Sequence, residues 1–170
     1  MREQTAASIT KAAVVIGTFS ALSIAGGLIK IPSPIGSIAL DSAPGFFTAA
    51  FYGPLLGAAV GAIGHMGSAA TGGMPLGALH IMVAILMAIV CWIFGFLARR
   101  GASVYLLVVA AVLAVALNGI VVPLVLTLVP GGLPKEMAFT LMPILCAASA
   151  TNIILASFAA WSSTKFKPGA

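Results

Sequence analysis

Charge is so sparse along this chain that its placement dictates where the chain can cross an apolar phase and where it must turn. The eight Lys and Arg and three Asp and Glu residues are 6% of 170 positions, and they fall at the ends of long apolar runs. Hydrophobic residues make up 61%. A soluble domain carries about 25% charge, so this pattern implies an integral membrane protein. The net charge of +5 does not point to nucleic acid, because the cations mark helix ends rather than one basic face. A span takes about 20 residues, so the length allows about six spans and leaves no room for a sizeable soluble domain. One membrane domain over residues 1–170 is expected.

Six helices are expected, at residues 8–29, 41–52, 55–70, 78–98, 103–129 and 137–163. The first apolar run, 12–29, is long enough to span, unlike the short core of a signal peptide. Residues 30–36 contain two prolines and a glycine and cannot be regular helix. Pro44 suits the first turn of helix 2, with Asp41 or Ser42 as its N-cap. Gly53-Pro54 breaks the chain before helix 3. Pro123 is expected to kink helix 5. Cys91 and Cys146 lie in apolar spans without metal-ligand spacing and read as small packing residues. No metal or cofactor is expected.

Six spans put Arg2, Lys11, Arg99, Arg100, Lys165 and Lys167 on one side, leaving Lys30 and Lys135 on the other. Cytoplasmic loops are enriched in Lys and Arg, so both termini are expected in the cytoplasm. Three Gly- and Pro-rich loops, 30–40, 71–77 and 129–136, then lie together outside.

The stretch 40–73 holds Asp41, one of three acidic residues, and His65, one of two histidines. An ionisable group in an apolar span is costly and usually faces protein, water or ligand. Asp41, His65, His80 and Asn118 all fall in the outer half of the expected bundle, near the outer surface, with Asn152 nearer the middle. Polar groups converging beneath ordered loops suggest a ligand pocket. Each also has a purely structural reading. Asp41 caps helix 2, the histidines bond neighbouring backbone or meet solvent, and Asn118 and Asn152 bridge helices. In helix 1, Ala13, Gly17, Ala21 and Ala25 recur every fourth residue, a stripe suited to close helix approach, inside this chain or with a partner subunit.

No nucleophile elbow, zinc-protease motif, phosphate-binding loop or usefully spaced carboxylate pair occurs, so catalysis lacks support. A self-contained small channel or carrier is the alternative of a different class, and a structural membrane protein with no ligand is a third.

The residues resemble a known family. A-L-D-S-A-P-G-F-F (39–47), Y-G-P-L-L-G-A-A-V-G-A-I-G-H (52–65) and G-G-M-P-L-G-A-L-H (72–80), with the helix 1 stripe, are similar to substrate-binding S components of energy-coupling factor (ECF) vitamin transporters. The resemblance implies a non-enzymatic membrane subunit. It binds a vitamin on its outer side, docks through the stripe on a transmembrane coupling subunit, and topples when two partner ATPases work. Gly17 departs from the all-alanine docking pattern. The resemblance further implies the cobalamin precursor α-ribazole as ligand, with riboflavin, a thiamin precursor or pyridoxine as alternatives. Asp41, with Ser42 beside it, would accept from ribose hydroxyls. His65, His80 and Asn118 would contact sugar or ring nitrogen, with Asn152 a further candidate for substrate binding. Phe46, Phe47 and Phe139 would contact the ring.

Overall fold

The computed structural model describes residues 2–33, 36–100 and 104–165. Its elements are α1 (Arg2–Leu28), β1 (Lys30–Ser33), β2 (Gly36–Ala39), α2 (Ala43–Phe51), α3 (Pro54–Thr71), α4 (Leu79–Ala98), α5 (Val104–Ala116), a π-helical turn (Leu117–Val121), α6 (Val122–Leu126) and α7 (Lys135–Lys165). Taking α5, the π turn and α6 as one rod, the described residues form six helical segments and one hairpin. Four segments are long and apolar enough to cross a membrane: α1, α4, the α5–α6 rod and α7. With nine residues, α2 reaches only about 14 Å at 1.5 Å per residue, against a hydrocarbon core of about 30 Å. His65 and a run of glycines dilute α3.

Three expectations need correction. The chain is helical as expected, but the connection after α1 is not an irregular loop. Residues 30–39, expected as loop, pair as an antiparallel hairpin with Lys30 opposite Ala39 and Ile31 opposite Ile38. Prolines exclude a helix there, but extended backbone still accepts them at an edge. Helix 5 runs unbroken over Val104–Leu126, short of the expected 103–129, and its irregularity is a π turn. Pro123 has no N–H and crowds the carbonyl four residues back, and the chain answers with the wider turn 117–121 just before it. Finally, neither Asp41 nor Ser42 caps α2 with its side chain. Ser42 occupies the cap position but makes no capping bond, and its hydroxyl instead donates to Asp41 Oδ1 at 3.2 Å.

The core forms where backbones approach closely. α3 packs on α1, α2 and α4, and its glycines allow this. A Cβ on Gly61 would stand 2.8 Å from Cys91 Sγ and 3.2 Å from the Met87 carbonyl of α4. Phe46 of α2 and Phe94 of α4, both fully buried, meet edge to face at 5.2 Å, a favoured aromatic geometry. Arg99, just past α4, donates to the carbonyls of Ala50 (3.0 Å) and Phe51 (2.8 Å). These are terminal carbonyls that α2 leaves without helical partners. The outer flank of α4 presents Ile81, Ile85, Ile89, Trp92 and Phe96, spaced as a lipid-facing stripe.

These contacts set the depth of α2. Its far end lies with Arg99 at the end of α4. A Cβ on Gly45 would stand 3.2 Å from Cys91 Sγ, and Cys91 is past the middle of α4. The helix therefore starts inside the bundle. Asp41 lies just before it, in the link whose Leu40 N–H bonds the Gly26 carbonyl near the end of α1 at 3.1 Å.

Candidate functional site

Where α2 stops short, the bundle keeps a cavity of about 240 Å³. Its polar lining is Asp41, Ser42, His65, His80, Asn118 and Ser149. Its apolar walls come from Leu76, Val83 and Met87 on one side and Val122, Leu126, Leu133, Leu141 and Leu145 on the other. A mostly apolar cavity with a few convergent polar groups is the usual form of a small-molecule site.

Each polar group is placed by local structure. Asp41 sits in the short link between β2 and α2, and α7 holds that link. The buried Asn152 side chain donates to the Ala39 carbonyl at 2.8 Å and accepts from the Ala43 N–H at 2.8 Å. It also donates to the Ala148 carbonyl of its own helix. Asn118 lies in the π turn, and such turns often occur at functional sites. Its amide donates to Ser149 Oγ at 3.0 Å, joining the turn to α7.

The two histidines meet. His65 Nε2 and His80 Nδ1 are 3.1 Å apart, and His80 Nε2 accepts from the Leu76 N–H at 3.2 Å. Leu76 belongs to the 72–78 connection over the cavity. Gly73 and Gly77 there take the left-handed backbone that glycine favours, and Met74 takes it too, at φ 51°. A non-glycine residue is uncommon in that region.

Of the residues expected from sequence, the structure brings Asp41, Ser42, His65, His80 and Asn118 to one cavity. It places four others elsewhere. Phe46 is fully buried against Phe94. Phe47 stacks on Phe51 and lines a separate apolar groove with Phe19, Leu22, Pro44, Leu155 and Phe158. Phe139 is 61% exposed on α7. Asn152 lies behind the cavity wall, its amide occupied by backbone. Ser149 and the leucines of α7 were not anticipated. The available signal was spacing: Ser149 precedes Asn152 by three residues, one helical turn, in an otherwise apolar helix.

The helix 1 stripe is presented outward. Ala13, Gly17, Ala21 and Ala25 are all exposed, whereas Val15, Ser20, Ser23 and Gly27 face the bundle. A methyl group at Gly17 would meet nothing within 4 Å. The stripe is therefore not used for packing within this chain. Among the described residues no cluster of three or more His, Cys, Asp or Glu is placed to hold a metal ion.

The family model described as ECF-type riboflavin transporter, S component, matches residues 8–161. No curated protein matches the chain.

Proposed function

The chain belongs to the family of ECF-type riboflavin transporter S components, and from that premise we propose that its cavity is the binding site for one small vitamin or vitamin precursor, α-ribazole being the best fit. S components are non-enzymatic membrane subunits that bind small vitamins and work with ECF transmembrane and ATPase modules. The observation that carries the substrate reading is the gathering of Asp41, His65, His80 and Asn118 around one cavity of about 240 Å³.

That volume lies just under the usual range of roughly 300–1,000 Å³ for ligand pockets, which favours a compact ligand. α-Ribazole joins a two-ring benzimidazole to a ribose. Asp41 and Ser42 suit the ribose hydroxyls, and the imidazoles and Asn118 suit the ring nitrogen. Riboflavin is the second reading, favoured by the description of the matching family. Against it stands a lining that, among the described residues, offers no Phe, Tyr or Trp face on which a three-ring flavin would stack. Calorimetric titration of both compounds into the detergent-purified protein separates the readings. Tighter binding of α-ribazole is expected, and binding of riboflavin alone would replace it.

The exposed stripe Ala13, Gly17, Ala21 and Ala25 is the proposed docking surface for the ECF transmembrane coupling subunit, since small residues permit close helix approach. The proposed orientation puts both termini in the cytoplasm of a prokaryotic cell, with the cavity opening outward. The energy source is then the pair of partner ATPases, which would topple this subunit in the plasma membrane. A bundle whose outward faces are apolar can rotate in lipid without burying charge.

A further inference from the structure

The hydrogen bonds around the two histidines fix more than position. A backbone N–H can only donate. Since Leu76 N–H points at His80 Nε2, that nitrogen carries no proton, and the His80 proton sits on Nδ1. The contact at 3.1 Å between His80 Nδ1 and His65 Nε2 is then donated by His80. His65 Nε2 accepts, so the His65 proton sits on Nδ1 as well. The reverse polarity would strip His80 of both protons. His65 Nδ1 has no hydrogen-bond partner among the described residues, and His65 lines the cavity beside Asp41.

We propose that His80 is a positioning residue: anchored by the Leu76 backbone, it holds His65 in the Nδ1–H form, so that the cavity selects a ligand offering a hydrogen-bond acceptor to His65 and a hydroxyl donor to Asp41. The inference rests on the binding function proposed above and specifies the ligand class further. The acceptor is an unprotonated ring nitrogen or a carbonyl oxygen. A ligand with a ring N–H at that place meets two opposed donors and is rejected. Sites built to hydrogen-bond one group discriminate strongly against analogues that lack it, because a buried partner is left unmade.

Two readouts test this separately. The chain has only two histidines, so nitrogen-labelled histidine gives spectra from His65 and His80 alone, assigned with a His65→Gln variant. Couplings to the ring carbon protons distinguish Nδ1 from Nε2. The expected wild-type spectrum shows both rings protonated at Nδ1, with His65 shifting to Nε2–H or to a mixture in His80→Gln. An Nε2–H form at His65 in the wild type overturns the proposal, whatever the ligand. The second readout compares α-ribazole with the indole analogue, in which the acceptor ring nitrogen is a C–H. Wild type should favour α-ribazole by roughly 10-fold or more, the size of one lost hydrogen bond to a buried partner, and His80→Gln should compress that preference. Equal affinity for the two compounds overturns the proposal. Failure of wild type to bind α-ribazole at all, with the expected spectrum intact, removes the substrate reading and leaves the tautomer assignment supported.

Discussion

Asn152 of α7 accepts the backbone N–H of Ala43 at 2.8 Å, and the same amide donates to the carbonyl of Ala39 at 2.8 Å. One buried side chain thus holds the backbone on both sides of Asp41. It supplies the bond to the first turn of α2 that Ser42 does not make. The acid of the cavity is positioned by a residue more than a hundred positions away that does not line the cavity.

Asn152→Ala should therefore weaken both fold and binding. It leaves the half-buried Ala43 N–H and Ala39 carbonyl without this partner, and an unmade bond of this kind costs about 1 kcal/mol or more. The melting temperature in detergent should fall and ligand affinity should fall with it. Asn152→Asp keeps the acceptor for Ala43 and loses the donor to Ala39, so its effect should be intermediate in stability. Unchanged melting in Asn152→Ala would mean that the Asp41 link is held by other contacts.

Two glycines should respond in opposite ways. Gly61→Val forces a side chain against Cys91 and the Met87 backbone, and overpacking of this kind costs about 1–3 kcal/mol. Gly17→Val meets open space and should leave the isolated protein as stable as wild type. Thermal unfolding of both variants checks this, and equal stability would contradict the packing of α3 on α4.

Bulk on the helix 1 stripe should separate binding from transport. Gly17→Trp or Ala21→Trp should abolish uptake in cells with the coupling module while leaving ligand affinity of the purified protein within about twofold, since the stripe faces away from the bundle. Retained uptake and normal complex assembly would move the docking surface elsewhere.

Topology is tested by reporter fusions at Arg100 and Gly132. The cation bias predicts that Arg100 is cytoplasmic and Gly132 is outside. Finding both on one side would remove the outward-facing cavity. Lys167, one of the cations behind this expectation, lies outside the described residues.

The spans were legible in the sequence wherever length and apolarity suffice, as in α4 and α7. Polar residues rare enough to need a partner were legible too, which is why Asp41, His65, His80 and Asn118 stand out in the sequence, and they line one cavity. Depth and facing were not. Nothing in A-P-G-F-F reveals that α2 starts inside the bundle, because that follows from glycine contacts with α4 distant in sequence. The aromatic residues misled for a related reason. Phe46 is attractive for ring stacking on type alone, yet its place is set by Phe94 and close packing beside Gly45. Pro123 announced an irregularity, but whether a helix kinks or widens into a π turn depends on what packs against it. Here Gly119 lets Cys146 of α7 come close.

The central claim is that Asp41 and His65 hold the ligand, and titrating α-ribazole and riboflavin into wild type, Asp41→Asn and His65→Ala, with a melting curve for each, tests it most directly. A hydrogen bond to a charged group is worth roughly 1.5–3 kcal/mol, so affinity for whichever compound binds should fall about 10- to 150-fold in Asp41→Asn. His65→Ala should lose at least about 10-fold. Without ligand, the melting temperature of Asp41→Asn should stay close to wild type, because the backbone around Asp41 is held by Asn152, whereas His65→Ala should melt lower, since it leaves the buried His80 ring without the partner it meets at 3.1 Å. Full affinity in both variants would contradict the account and place the binding site outside this cavity.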